Sequence, residues 1–495
     1  MPKGRNMNTL YYGDNLDILR RYVKDETVDL IYLDPPFNTN RDFNVLFREQ
    51  SGEESQAQLN AFKDTWYWNE DSSKSYFEVV VSGGKISQVL QAFRIFLGDC
   101  GLLSYLSMMA PRLKELRRVL KNTGSIYLHC DPSISHYIKL LMDAVFGVQN
   151  YRNEIVWNRR PAGRGITNQA KQFHRVADTI LFYSKTQNWF FQRPYAPYTD
   201  EQIANNYSKK DPDGRKFTTF SLGDYSEESI KRFEVNGEIW ISSTGRKYVK
   251  DYLDEAKGNA INTTWVDILG ENKSEYPTQK PEALLERIIK ASSKEGDVVL
   301  DPFCGGGTTC VVSDRLNRQW IGIDVTHVAI STTKRRIPNE NYKVIGEPED
   351  LAGAEKLAQD DPYQFQWWSL GLVGARPVEQ KKGADKGIDG RLYFHDEADN
   401  KKTKQIIFSV KAGNVDVTQV RDLRGVIERE KAEMGVFICF KEPTQPMIAE
   451  AAGAGRYKSL WKDHPKIQII TVGELLGGKK LDIPTIELTN LTFKV

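Results

Sequence analysis

Val28-Asp29-Leu30-Ile31-Tyr32-Leu33-Asp34-Pro35-Pro36-Phe37 is the stretch on which the fold turns. An apolar run that stops at a proline pair reads as a buried strand closing on a rigid turn. Each proline fixes its own φ, so the Asp34 carboxylate and the neighbouring peptide carbonyls are held in place before any ligand arrives. An acceptor-rich turn next to an aromatic suits one task, gripping the amino group of a planar base. The same letters also read as a Pro-rich loop that ends a strand, and the rest of the chain has to separate the two.

Outward from this turn the pattern alternates. Helical periodicity over 16–23 precedes it, and a long periodic helix over 102–120 stops at Gly124 before a strand at 125–129. Strands at 153–157 and 177–184 follow, and then helix 281–293, strand 298–300, helix 308–316 and strand 320–323. Strands alternating with helices predict an α/β fold, a doubly wound parallel sheet covered on both faces. Between 187 and 275 the alternation gives way to turn signals (Asp211-Pro212-Asp213-Gly214, Asn236-Gly237), aromatic residues and mixed charge, which reads as an inserted module. Residues 1–340 are thus expected to form one domain, 341–362 a polar linker, and 363–495 a second α/β unit.

Composition excludes several classes. With 27% charged and 40% hydrophobic residues the chain is neither disordered nor a membrane span, and no apolar run approaches the length of one. A net charge of +2 does not announce a nucleic-acid binder, so such contacts must come from local patches. The five cysteines are scattered without a Cys-x-x-Cys pair, which argues against zinc and disulfides. No apolar leader is legible at the N-terminus, and a cytoplasmic setting is expected.

A second candidate site is Asp301-Pro302-Phe303-Cys304-Gly305-Gly306-Gly307-Thr308-Thr309, set between a strand and a helix. Glycine lets the backbone approach a ligand closely, and the helix N-terminus offers free N–H groups. Asp324, at the end of the next strand, stands where doubly wound sheets place an acid for ribose hydroxyls. The spaced G-x-G-x-x-G of a dinucleotide site is absent, which lowers an oxidoreductase reading.

Together these motifs resemble the β class of S-adenosylmethionine-dependent amino-DNA methyltransferases, whose DPPY/F motif lies upstream of the glycine-rich one. The resemblance spans roughly residues 8–336. Tyr276-Pro277-Thr278-Gln279-Lys280-Pro281 looks like the family's cofactor-side motif, and Gly13-Asp14-Asn15 like its adenine-contacting acid. Phe173-His174-Arg175 to Tyr183-Ser184-Lys185 looks like the strand and loop behind the target-base pocket. The resemblance implies catalysis by Asp34, Pro35, Pro36 and Phe37. It implies cofactor binding by Asp14, Lys280, Asp301, Phe303, Gly305, Gly307, Thr308 and Asp324, with S-adenosyl-L-methionine as cofactor. The family's cytosine-N4 members usually carry Ser first in the motif, so Asp34 favours adenine N6. Blander readings stay open: Asp14 as a helix N-cap, Asp324 as a strand-end acid, Phe37 as core, Lys280 as surface charge.

Double-stranded DNA is the implied partner, with a target base flipped from the helix. The basic, glycine-punctuated segment carrying Arg159, Arg160, Arg164 and Lys171 is the candidate phosphate grip. Residues 187–275 are the candidate target-recognition module, with Lys209, Lys210, Arg215, Lys216, Arg246 and Lys247 near its turns. A homodimer is one expected state, since β-class enzymes often pair.

In the C-terminal unit, Gly387-Ile388-Asp389-Gly390 precedes a strand, and Phe408-Ser409-Val410-Lys411 lies on the next. This resembles an Mrr-like PD-(D/E)XK nuclease, a restriction-endonuclease-like fold. The resemblance implies Asp389 as ligand of a Mg2+ ion and Lys411 as orienter of the attacking water. Ser409 departs from the pattern, because an acid or amide is expected there; Glu428 is a candidate substitute. The overall expectation is a site-specific adenine-N6 DNA methyltransferase joined to a nuclease-like domain, as in restriction–modification. The alternatives are a cytosine-N4 enzyme with a degenerate DNA-binding C-terminal domain, and a non-catalytic DNA-binding defence or regulatory protein.

Overall fold

The structure is a computed structural model that describes residues 8–36, 42–48, 54–63, 68–160, 173, 175–270, 279–338, 341–378, 387–394, 404–459 and 462–484. Phe37, Arg164, Lys171, His174 and Tyr276-Pro277-Thr278 lie outside the described residues.

Among the described residues the first domain is built on a nine-stranded sheet. From one edge its strands are Thr264–Trp265, Tyr151–Asn158, Ala177–Ser184, Leu120–Cys130, Val28–Leu33, Val298–Asp301, Gln319–Asp324, Asn8–Tyr12 and Tyr342–Ile345. From Leu120–Cys130 to Tyr342–Ile345 the strands run parallel. Ala177–Ser184 runs antiparallel to both of its neighbours, so the sheet is mixed rather than purely parallel as expected.

Val28–Leu33 and Val298–Asp301 are neighbours, with Val299 beside Leu30 and Leu300 beside Ile31. After the first of these strands the chain moves to one side of the sheet, and after the second to the other. A crevice opens outside the carboxyl ends of two parallel strands where the winding reverses in this way. Asp34 and Asp301 are the residues that stand there.

Alternation along Val28–Leu33 separates the two helix layers. Ile31 and Leu33 join a core with Leu103, Leu106, Leu113, Ile126, Leu128, Ile138 and Leu141, under helices Gly101–Val119 and Pro132–Phe146. On the opposite face, the Tyr127 hydroxyl meets Ser292 Oγ at 2.7 Å, so helix Glu282–Ser292 covers the side on which Tyr32 lies. Asp29, a charge inside an apolar strand, is held by Lys121 at 2.7 Å and by the Val298 amide at 2.9 Å.

Residues Phe191–Thr263 form a separate compact unit. It contains an antiparallel sheet of Ile239–Ile241, Lys247–Tyr252, Lys216–Ser221 and Lys209–Lys210. Residues 341–362, expected as a linker, carry the edge strand Tyr342–Ile345 and helix Leu351–Asp360, whose Ala354 is in the C-terminal core.

That C-terminal part has a five-stranded sheet among the described residues, ordered Arg376–Pro377, Gly390–Phe394, Lys404–Lys411, Met434–Cys439 and Ile467–Thr471. It packs on the first domain through helix Pro362–Leu372. Gln364 Oε1 accepts from the His327 amide at 3.2 Å, and Gly371 lies against Ser331. No helix among the described residues is long and apolar enough to cross a membrane.

Candidate active site

One cleft gathers both motifs. Its walls include Tyr32, Asp34 and Pro36 from the first, and Asp301, Phe303, Gly305, Gly306, Thr308 and Thr309 from the second. Gln279, Lys280, Leu285, Asp324 and Thr326 also line it, around an empty volume of about 700 Å3 with the mouth included.

The glycine-rich turn is shaped by Gly305 (φ +49°) and Gly307 (φ +75°), the latter at the N-cap of helix Thr308–Arg315. A Cβ on Gly307 would fall 2.5 Å from Thr333 Oγ1, so the position needs glycine for space as well as for conformation. Thr333 Oγ1 donates to the Gly305 carbonyl at 3.1 Å, and Arg336 donates to the Gly306 carbonyl at 2.5 Å. Helix His327–Arg336 therefore braces the turn from behind.

Asp301 is 3% exposed. It accepts from the Phe303 amide at 3.0 Å and the Thr309 hydroxyl at 2.5 Å. Burial, with Asp34 and Asp324 as like charges, pushes its carboxyl up to about 7 despite those bonds. Asp324 accepts from the Gly305 amide at 2.9 Å and from the Thr326 amide and hydroxyl at 3.0 Å each. Enclosure raises its carboxyl too, with the hydrogen bonds opposing.

Asp34 is ion-paired through Oδ2 with the Lys280 ammonium. Its Oδ1 is buried and has no hydrogen-bond partner among the described residues. Lys280, expected on the cofactor side, thus lines the cleft with its charge on the Asp34 carboxylate. Asp14 does not line the cleft. It caps helix Asn15–Tyr22, accepting from the Leu16 amide at 2.9 Å, and pairs with Arg112 at 2.5 Å. It stays close through its neighbours, because the Gly13 amide reaches the Asp324 carbonyl at 2.9 Å and Asn15 Nδ2 reaches the Pro302 carbonyl at 2.7 Å.

A row of buried polar groups extends sideways from the cleft floor. The Tyr32 hydroxyl meets His129 Nδ1 at 3.0 Å, and His129 Nε2 meets Asp178 Oδ2 at 3.1 Å. Arg159 Nε closes the row on Asp178 Oδ1 at 2.9 Å. Sequence reading passed over His129 and Asp178, although a histidine and an acid inside apolar strands were a legible sign of buried partners. Arg159, assigned to the phosphate grip, has its charge on this row, whereas Arg160 is exposed. In the inserted unit, Lys209 lies 4.3 Å from the Trp240 ring, Arg215 pairs with Asp254 and Glu255, and Lys247 pairs with Glu234. Lys210, Lys216 and Arg246 are exposed.

At the nuclease-like position Asp389, Ser409 and Lys411 do converge. Asp389 Oδ2 accepts from the Val410 amide at 2.7 Å and the Ser409 hydroxyl at 3.3 Å, with the Lys411 ammonium 3.6 Å away. Glu428 points elsewhere, 63% exposed and paired with Arg424. Among the described residues no three His, Cys, Asp or Glu side chains are grouped to hold a metal ion.

Residues 364–477 match a family described as NACHT-associated inactive restriction endonuclease 1. The type II methyltransferase M.EcaI of Enterobacter cloacae is 26% identical over 66% of this chain and 69% of its own length. The DNA adenine methyltransferase YhdJ of Escherichia coli K12 is 26% identical over 68% of this chain and 84% of its own. The solved M1.HpyAVI–SAM complex aligns with 66% of this chain and 98% of its own, at 16% identity and a TM-score of 0.34. Residues 28–335, more than half of the chain, match the N6/N4 DNA methylase model, and the protein belongs to that family of S-adenosylmethionine-dependent DNA methyltransferases.

Proposed function

We propose that the chain methylates the exocyclic N6 of adenine in double-stranded DNA. The observation that carries this is the one cleft that Asp34, Pro36 and the Asp301 turn all line, with Asp34 Oδ1 buried and lacking a hydrogen-bond partner among the described residues. An acceptor left in that state costs about 1–3 kcal/mol, which a donor on the substrate would recover.

The residues present fit the cofactor. Asp301 and Asp324 supply carboxylates, the glycine-rich turn leads into a helix N-terminus, and Phe303 and Leu285 supply apolar wall. Asp324 would take the ribose hydroxyls, and Gly305 to Thr308 would border the amino-acid end. The cofactor's sulfonium supplies an electrophilic methyl group. The amine of adenine is a poor nucleophile because its lone pair is delocalised into the ring. Hydrogen bonds from that amine to Asp34 Oδ1 and to the Pro35 carbonyl draw the nitrogen towards tetrahedral geometry and localise the pair. The residues thus act by positioning and electrostatics. Reaching the cleft requires the base to flip out of the duplex, and Phe37 is assigned to stack on it, worth about 1–3 kcal/mol. Asp at the head of the motif supports adenine over cytosine, as does the similarity to an enzyme named as an adenine methyltransferase.

The C-terminal unit we read as a nuclease-like domain that does not cut. Ser409 replaces the expected acid, and the Asp389 carboxylate is engaged by its own neighbouring strand. The matched family's description as inactive supports the same reading.

Labelled cofactor, DNA and Mg2+ in one incubation test both halves. N6-methyladenine is expected on nucleoside analysis, with no strand cleavage. Asp34→Ala should abolish transfer while cofactor binding, read by calorimetry, survives. N4-methylcytosine as product, or unchanged transfer by Asp34→Ala, overturns the methylase reading; Mg2+-dependent cuts overturn the second.

A further inference from the structure

The Lys280–Asp34 pair is not an ordinary surface salt bridge. Its side chains are 9% and 16% exposed, and burial of two opposite charges is tolerated only when they are matched closely. The partners are 246 residues apart in sequence. What brings them together is the helix layer: Lys280 leads through Pro281 into helix Glu282–Ser292, which covers the face on which Tyr32 and then Asp34 alternate.

The charges around the pair are lopsided. Asp34 from the first strand, Asp301 from the second and Asp324 from the third all line the cleft, and Lys280 is the cation among its lining residues. Behind them the row of Tyr32, His129, Asp178 and Arg159 adds one more carboxylate and its own cation. Lys280 contributes to holding Asp178 low, so its field reaches that row as well.

We propose that Lys280 is a positioning residue for methyl transfer: by holding Oδ2 of Asp34 it keeps Oδ1 turned inward to receive the target amine. The inference rests on the methylase reading above and adds a role to a residue that the sequence placed on the cofactor. A carboxylate facing those of Asp301, Asp324 and Asp178 without that cation would rotate away from them. Rotation takes the acceptor that localises the amine's lone pair out of its place. With one oxygen fixed by an ammonium, the other stays available in one orientation before the base arrives. The ammonium also opposes the repulsion from Asp301 and Asp324 without filling the acceptor position on Oδ1.

The test uses the full chain with Lys280→Met, Lys280→Gln and Lys280→Arg. Single-turnover methylation at saturating S-adenosylmethionine, cofactor affinity by calorimetry and melting temperature are read for each. A positioning role predicts a loss of about 100-fold in the transfer rate for Met and Gln, the scale seen when one preorganised electrostatic group is removed. Cofactor affinity should stay within about threefold, and Arg should restore the rate at least about tenfold over Met. A cofactor ligand would give the reverse split: affinity weakened about tenfold or more, with the rate at saturation nearly intact. That result overturns the proposal, as does an equal loss in Arg and Met with melting unchanged. If Met does not fold, Gln and Arg still decide the question. Failure of the wild-type protein to methylate DNA would instead sink the methylase reading itself.

Discussion

If the cleft takes the cofactor as proposed, Asp301 should make its binding pH-dependent, in a direction set by the burial of its carboxyl. Its carboxyl is raised from 3.8 to about 7 by burial, with Asp34 and Asp324 adding to the rise. At about 1.36 kcal/mol per pH unit, keeping it ionised in the free protein costs roughly 4 kcal/mol. Because the unfolded chain ionises first, this group's contribution to stability is complete below pH 3.8 and is lost as pH rises through about 7. The free protein should therefore lose stability between those limits. A sulfonium cofactor entering the cleft favours the ionised form, so binding releases a proton below about pH 7. If the complex holds Asp301 ionised throughout, affinity should rise about tenfold between pH 6 and pH 8. Calorimetry in two buffers of different ionisation heat counts the proton directly. The cofactor's own amine titrates near 7.7–8.0, so the same titration on Asp301→Asn must be subtracted. Asparagine keeps one acceptor for the Phe303 amide and a polar group for Thr309 but cannot ionise. A proton release near pH 6.5 identical in both proteins would refute the assignment to Asp301.

Two further perturbations probe the scaffold of the site. Gly307→Ala places a methyl 2.5 Å from Thr333 Oγ1 at φ +75°; it should cost about 1–3 kcal/mol in chemical denaturation and weaken cofactor binding, while Gly413→Ala, at a glycine with no atom near its added Cβ, should do neither. Unchanged stability in Gly307→Ala would show that the turn can yield. Asp178→Asn tests the buried row. Burial alone would raise the Asp178 carboxyl, but the hydrogen bond and charge of His129, with Arg159 and Lys280, hold it below its ordinary value. Its stabilising effect is present above about pH 4 and lost as pH falls below that, so the asparagine variant should be less stable by on the order of 1–3 kcal/mol at neutral pH. The gap should narrow in acid, and an offset independent of pH would assign the loss to packing instead.

Much of the architecture was readable because its signals are local. Strand Ala177–Ser184 coincides with the expected 177–184, since its continuous apolar and aromatic run defines its own ends. Helix Pro132–Phe146 went unread despite Asp131 as N-cap and Pro132 at its first position, the usual start signals. Helix His327–Arg336, which braces the glycine-rich turn, went unread too: its apolar periodicity is weak, and its buried contacts are Thr332 and Thr333 as much as Val328 or Ile330. The candidate nuclease residues were named from the family resemblance, and their convergence on Asp389 follows from pairing of adjacent strands, with Gly390 beside Phe408.

The sequence by itself determined the two motifs, their order along the chain, the strand–turn setting of the first and the strand–turn–helix setting of the second, because proline, glycine and hydrophobic period act over a few residues. It could not say that Ala177–Ser184 runs against its neighbours, nor that Lys280 would meet Asp34, nor that Tyr32, His129 and Asp178 would join in a row. Those pairings are set by which strands lie side by side and which helix covers which face. The tertiary structure alone decided them, because side chains far apart in sequence share a buried charge balance only once the sheet is assembled.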